Sequence, residues 1–209
     1  MAKPAQFPKQ LLLFFSGLLL LTISATAAQP IPLNHTLIRK NLDGIDSIWL
    51  DLNGGTFAGR YYPSGNWIAM QQPSPGASLS FYNRIRPEIL MHFSVFPAGQ
   101  LIASFDEEAI AGYVSGLPTS FGGATVQLLN AGSFVPPVGS PPFVGGGYRT
   151  IKFQLIDPKT NQPTLAVADF LSVSGSGLSF RLRFSAPVDL FELMEPSFAR
   201  ELFLFTDER

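Results

Sequence analysis

Leu178-Ser-Phe-Arg-Leu-Arg-Phe184 is the stretch that decides the fold of this 209-residue chain. Successive side chains of a strand point to opposite faces, so its alternation predicts a strand with one apolar and one basic face. The apolar run 164–173 precedes it across the turn residues Ser174-Gly-Ser-Gly177, and the stretch 148–156 alternates in the same way. Together these stretches predict an antiparallel meander of three strands.

The register of the last hairpin follows from Asp169, the acidic residue of the middle strand. Opposite Leu182, the carboxylate would be buried without a partner, which is strongly unfavourable. Opposite Arg181 it is neutralised, and a three-residue loop closed by a glycine bulge produces that register. The prediction is therefore that Asp169 pairs with Arg181, which places Phe170 beside Phe180.

A helix is predicted directly after the meander. It is expected to start near Ser185-Ala-Pro187, because serine favours the position before a helix and proline is tolerated in the first turn. Pro196 is expected to kink or restart the helix near Glu195. Spacings of three and four residues predict one apolar stripe, made of Phe191, Met194, Phe198, Leu202 and Phe205. We expect this stripe to pack in the core against the meander.

The residues before the meander supply more strands and a second helix. The segment 89–96 is apolar at both alternating sets of positions, which predicts a central strand covered on both faces. Ser104-Phe-Asp-Glu107 predicts a capping box with Ser104 at the N-cap, and Leu117-Pro118 is expected to end that helix. Further short strands are expected at 45–52, 67–71, 78–85 and 125–130. The order of elements predicts an α+β fold, an antiparallel β-sheet packed with two main helices.

The N-terminus has the residue order of a secretory signal peptide. Lys3 and Lys9 precede the apolar run 11–23, and the small residues Ala25-Thr-Ala27 follow. Residues 1–27 are therefore predicted to be a signal peptide, cleaved after Ala27 or Ala28, with a periplasmic or secreted product. The alternative is an uncleaved leader that anchors the protein to the membrane.

The remaining chain has room for one domain. Residues 28–44 are polar and contain proline, so a mobile N-terminal tail is expected there. Residues 45–207 are expected to form a single α+β domain, a length that supports a sizeable core without disulfides. After cleavage of the leader, no stable membrane span is expected.

Charge and cysteine content exclude several classes of protein. Without the two leader lysines the chain has 12 basic and 15 acidic residues, a formal charge of −3, which does not favour nucleic acid as a partner. The chain has no cysteine, so disulfides, thiol catalysis and a lipid-modified cysteine are excluded.

The order of these elements resembles the PsbP-like fold. The resemblance is carried by an early hairpin, a capped helix, the meander and the closing run Phe184-Ser-Ala-Pro-Val-Asp-Leu-Phe191, followed by Phe198 and Leu202-Phe-Leu-Phe205. It covers about Ile45 to Phe205 and links the chain to extrinsic PsbP proteins of photosystem II and to periplasmic DcrB-like proteins. The resemblance implies an α/β/α sandwich and a binding or accessory role, mostly without enzymatic activity. No metal or photosystem contact motif of the family matches a position in this chain.

No catalytic, metal-binding or cofactor motif is predicted. Of the two histidines, His35 lies in the tail and His92 in a buried strand, without the spacing of a zinc site. His92 is expected to be a satisfied core residue, although a catalytic triad that uses it stays open.

The polar face of the meander is the predicted binding surface. Arg181 and Arg183, beside Lys152, could contact an anionic ligand or partner. The alternative is ordinary strand pairing in which Asp169 neutralises one of the arginines.

Three functions follow from these patterns. The first is an exported, non-catalytic binding or accessory protein of the periplasm or cell envelope, with an unknown protein or small-molecule partner. The second is an extracytoplasmic hydrolase whose site is assembled from distant residues. The third is a structural accessory of the envelope, held near the membrane by an unprocessed leader.

Overall fold

A seven-stranded antiparallel sheet forms the centre of the molecule. The structure, a computed structural model, describes residues 29–31, 34–38, 47–51, 58–61, 66–97, 99–102, 104–134, 148–173, 178–201 and 205–207. In chain order its elements are β1 (Asn34–Ile38), β2 (Ser47–Asp51), β3 (Ala58–Tyr61), β4 (Trp67–Ala69), β5 (Leu79–Asn83), β6 (Leu90–Phe96), α1 (Glu107–Ser120), β7 (Thr125–Phe134), β8 (Tyr148–Ile156), β9 (Pro163–Val173), β10 (Ser179–Pro187), α2 (Val188–Glu201) and β11 (Phe205–Asp207). The central sheet has the order β4-β5-β6-β10-β9-β8-β7. This arrangement confirms the predicted α+β fold and the three-stranded meander β8-β9-β10.

One helix packs on each face of this sheet. On the first face, Phe191 and Phe198 of α2 are buried against β10, and the rings of Phe198 and Phe184 stack with centroids 4.5 Å apart. On the second face, Leu117 of α1 packs into a smaller cluster with Phe153 of β8. The helical stripe predicted after the meander is therefore core at Phe191 and Phe198, while Leu202 lies outside the described residues.

The two outer strands of the meander turn their apolar residues to opposite faces. Phe180 and Leu182 of β10 face α2, whereas Ile151 and Phe153 of β8 face α1. The strand between them, β9, has apolar residues on both faces. The alternation within each strand was predicted correctly, whereas the expectation that β8 and β10 turn their apolar residues to the same face was wrong.

The register of the β9–β10 hairpin differs from the prediction by two residues. Asp169 is opposite Arg183, not Arg181, and Phe170 is opposite Leu182. The shift keeps every side chain on its predicted face because the period of a strand is two residues. The hairpin loop at 174–177 lies outside the described residues, as does the predicted signal peptide.

The start and end of α1 differ from the predicted bounds, and so does the course of α2 at Pro196. The N-cap of α1 is Asp106, whose Oδ1 accepts the Ala109 N–H at 2.8 Å, and not Ser104. The helix continues through Pro118 and ends at Ser120, with Phe121 as its C-cap, and the next residue, Gly122, has a φ of +66° that suits a residue without a Cβ. In α2, Pro196 lies within a continuous helix.

A second, four-stranded sheet has the order β1-β2-β3-β11. Strand β1 lies inside the segment that was expected to be a mobile tail, and it pairs with β2. Nearer the N-terminus, the backbone of Ile31 donates to the Val95 carbonyl at 2.6 Å and accepts from the Ser78 hydroxyl at 2.7 Å. Phe205 belongs to β11 and not to the preceding helix.

Neither described helix has the length and apolar character needed to cross a bilayer.

Candidate functional site

The three predicted binding residues do not share one surface. Arg181 and Arg183 lie on the sheet face where α1 packs, and each is only 8% exposed. Lys152 lies on the opposite face, where its Nζ donates to Oε1 of Glu195 in α2 as an ion pair. The expectation of one open basic face is therefore wrong, because β8 and β10 orient their polar residues in opposite directions. A binding role for the three residues stays a prediction.

Arg183 is part of a buried polar cluster. Its Nε and Nη2 donate to Oδ1 and Oδ2 of Asp169, each at 2.6 Å, and the Tyr113 hydroxyl donates to Oδ2 at 2.5 Å. The rings of Phe121 and Phe153 flank the guanidinium, with centroids at 4.7 and 5.8 Å. The Asp169 side chain is fully buried, so this two-point ion pair is withdrawn from water. It ties a residue of α1 to the middle of the sheet.

The pKa values of this cluster favour its charged form. Burial acts to raise the pKa of Asp169, but the charge of Arg183 and the hydrogen bonds outweigh it and hold the pKa below its usual value. Burial acts against the charge of Arg183, yet Asp169 raises the pKa of that guanidinium above its usual value. Burial and the Asp169 charge raise the pKa of Tyr113 to about 12, so its hydroxyl keeps the proton that it donates.

Arg181 is buried beside this cluster and has different partners. Its Nη2 donates to the Gly76 carbonyl at 2.9 Å and lies 3.5 Å from the Ser94 hydroxyl, while the Phe96 ring faces the guanidinium at 5.2 Å. Its Nε has no hydrogen-bond partner among the described residues. Burial and the neighbouring Arg183 lower the pKa of Arg181.

His92 lies on the same face, opposite Arg183 in the register of β6 and β10. Its Nδ1 is 2.8 Å from the Ser80 hydroxyl, which also accepts the Ser74 N–H at 2.9 Å. Burial, followed by the charges of the two nearby arginines, lowers the pKa of His92 to about 4. A neutral imidazole of such low basicity is a poor general base, and Ser80 is only 2% exposed. This contact therefore fits a satisfied core histidine better than a serine hydrolase.

A small cavity lies on the face of α2, beside Lys152. Its volume is about 190 Å³, and it is lined by Thr150, Phe170 and Glu195 together with residues of β7. The buried Thr150 hydroxyl has no hydrogen-bond partner among the described residues. Both residues of the Lys152–Glu195 ion pair line this cavity.

A larger and mostly apolar groove runs between α1 and β7. Its volume is about 680 Å³. The lining is Phe105, Glu107, Ile110, Ala111, Val114 and Ser115 from the helix side, Leu128, Ala131, Gly132 and Ser133 from β7, and Arg149 and Ile151 from β8. Arg149 Nη2 donates to the Phe105 carbonyl at 3.2 Å, a contact between two residues of the lining. A groove of this size and lining suits apolar side chains of a partner.

Sequence reasoning missed this groove. The capping-box pattern predicted a helix here, but it does not indicate which side of the helix stays uncovered. A signal was present in β7: its ten residues contain no charge and no proline, which is unusual for the last strand of a sheet. Within the described part of the chain, no three histidine or acidic residues are grouped closely enough to hold a metal ion.

Comparisons with known proteins bear on the fold. No protein-family model matches the chain, and no curated protein matches it. The solution structure of cyanobacterial PsbP (CyanoP) from Synechocystis sp. PCC 6803 is similar, with a TM-score of 0.50 and 14% identity over 85% of this chain and 93% of that chain. The fold is PsbP-like.

A second solved structure also aligns with this PsbP-like chain. It is LpqN, involved in cell envelope biogenesis of Mycobacterium tuberculosis, with a TM-score of 0.30 and 12% identity over 84% of this chain and 91% of that chain. The likeness to CyanoP, at 14% identity, concerns the fold alone, and function has to be inferred from the site.

Proposed function

We propose that this PsbP-like chain is an exported, non-catalytic binding or accessory protein of the periplasm or cell envelope. Its protein partner occupies the groove between α1 and β7. Export is supported by the leader pattern of residues 1–27. The groove is the observation that carries the binding role.

The groove has the composition of a recognition site. Its apolar walls come from Ile110 and Val114 of α1 and from Ile151 of β8, while Glu107 and Arg149 place one charge of each sign on its lining. Ala111 and Ser115 are small and exposed, so they leave its mouth open. Apolar walls with few fixed charges favour a specific protein contact over a general charged surface.

Photo-crosslinking in the source cells tests the binding role. A photoreactive amino acid placed at Ala111 is expected to crosslink one discrete envelope or periplasmic protein. The matched control is the same amino acid at Leu193, an exposed position on α2, across the sheet from the groove. Equal crosslinking from both positions, or none from Ala111, would contradict the proposed binding site.

N-terminal sequencing of the protein recovered from the extracytoplasmic fraction tests the export. Cleavage after Ala27 or Ala28 is expected. A protein that retains Lys3 and Lys9 would contradict cleavage and support a membrane-held accessory.

A further inference from the structure

Strand β7 is the last strand of the central sheet, and among the described residues it pairs only with β8. Its sequence, Thr125-Val-Gln-Leu-Leu-Asn-Ala-Gly-Ser-Phe134, contains neither a charged residue nor a proline. Soluble proteins usually protect an edge strand with such residues, because unpaired backbone N–H and C=O groups recruit another strand. The edge of β7 therefore has the chemistry of a pairing surface.

A bulge divides β7 into two parts. The pairing with β8 shifts between Leu128 and Asn130, and both Leu128 and Leu129 are exposed, at 45% and 47%. From Asn130 to Phe134 the register is regular, and this stretch includes three of the four residues of β7 that line the groove, the fourth being Leu128. If another strand paired with this stretch, the side chains on one of its two faces would lie over the groove.

The regular part of β7 brings only small side chains to the groove. Ala131, Gly132 and Ser133 are small, and a Cβ built on Gly132 would meet only Asn130 Oδ1, at 3.9 Å. A second copy that paired antiparallel through its own Asn130–Phe134 would place its small Ala131 and Ser133 on the groove side and leave much of the 680 Å³ unfilled. A strand with large apolar residues at alternate positions fills it, and so fits better than a second copy.

We propose that an extended segment of a partner protein adds to β7 as an eighth strand. Its backbone pairs with Asn130–Phe134, and every second side chain is a large apolar residue that enters the groove against Ile110 and Val114. This proposal rests on the proposed function and specifies how the partner is held. Main-chain hydrogen bonds supply affinity in this mode of recognition, while the groove selects the side chains.

Three synthetic peptides with identical side chains test strand addition to the exported protein. The parent alternates leucine and threonine and has a lysine at each end for solubility. One derivative carries N-methyl groups on all leucines and the other on all threonines. In a strand, the N–H groups of alternate residues point to the same edge, so one derivative loses the donors that face β7 and the other keeps them.

The expected result is an asymmetry between the derivatives. The parent and one derivative bind with similar affinity, while the other binds ~tenfold more weakly or worse, because several backbone hydrogen bonds are lost. Amide exchange at Asn130–Phe134 slows when the parent binds. The variant Leu128→Lys, which places a charge at the edge, weakens binding of the parent, whereas Leu193→Lys does not.

Three outcomes would overturn strand addition. They are absence of binding by the parent, equal binding of both derivatives, and a β7-dependent dimer of the protein that Leu128→Lys dissociates. A partner crosslinked at Ala111 together with equal binding of both derivatives would leave the proposed function standing and remove only the strand addition. No crosslink at Ala111 would remove the proposed function itself.

Discussion

Arg183 and Asp169 face each other across β10 and β9 and form a buried ion pair with two hydrogen bonds of 2.6 Å, in which the Asp169 side chain is fully buried. The pair is further joined to α1 by the Tyr113 hydroxyl. Asp169 thus contributes both to the register of the β9–β10 hairpin, through Arg183, and to the position of α1, through Tyr113.

Loss of this pair is expected to destabilise the protein strongly. Asp169→Asn keeps the size of the side chain but leaves the Arg183 charge buried without a counter-ion, so the free energy of unfolding should fall by about 3–5 kcal/mol. Urea unfolding followed by circular dichroism measures this. The control is Glu88→Gln, which breaks the exposed Arg86–Glu88 pair and should change stability by less than about 1 kcal/mol. A loss of similar size in both variants would contradict a desolvated pair.

His92 is expected to make stability depend on pH. Its pKa is lowered to about 4 in the folded protein, from 6.5, mainly by burial. As pH falls from about 6.5 towards 4, the unfolded chain binds a proton that the folded chain does not, so up to about 3 kcal/mol of stability is lost. Asp169 stays ionised in this window because its pKa is below its usual value.

Urea unfolding of the protein and of His92→Asn across that pH window checks this effect. Asparagine can still bond to the Ser80 hydroxyl but does not titrate, so the variant should lose less stability on acidification. Other titrating groups are common to both proteins and cancel in the difference. If the free energy of unfolding changes with pH equally in both proteins, His92 takes up its proton equally in the folded and unfolded states.

Phe198 is expected to hold α2 on the sheet. It is fully buried and stacks on Phe184, so Phe198→Ala should lower the free energy of unfolding by about 3–5 kcal/mol. Leu193, on the same helix, is 75% exposed, and Leu193→Ala should change it by no more than about 0.5 kcal/mol. Chemical denaturation of both variants gives the comparison. Equal effects would mean that the helix does not pack through Phe198.

The N-cap of α1 distinguishes the observed helix start from the one predicted from sequence. Asp106 accepts the Ala109 N–H, and the Ser104 hydroxyl donates to the same carboxylate. These hydrogen bonds, from Ser104 first, lower the pKa of Asp106. Asp106→Ala should therefore reduce the melting temperature more than Ser104→Ala, and Asp106→Asn should restore most of the loss because asparagine is an equally good N-cap. A larger loss in Ser104→Ala would favour the capping box.

The register of the last hairpin was predicted wrongly because groups from other elements decide it. Placing Asp169 opposite Arg181 satisfied the charge within the hairpin, but the position of Arg183 between Phe121 and Phe153, with Tyr113 above it, selects the other arginine. Those groups come from α1, the turn after it and β8. The alternation of a strand contains no information about them.

The sequence by itself determined the three strands of the meander, the helix that follows them, and the burial of Phe191 and Phe198, because these depend on local periodicity and on the hydrophobic effect. Tertiary structure alone decided that Lys152 and Arg183 lie on opposite faces of the sheet. An alternating strand has two equivalent ways to face, and only packing against α1 and α2 distinguishes them. The groove beside β7 was decided in the same way, since it exists only where a helix and an edge strand meet.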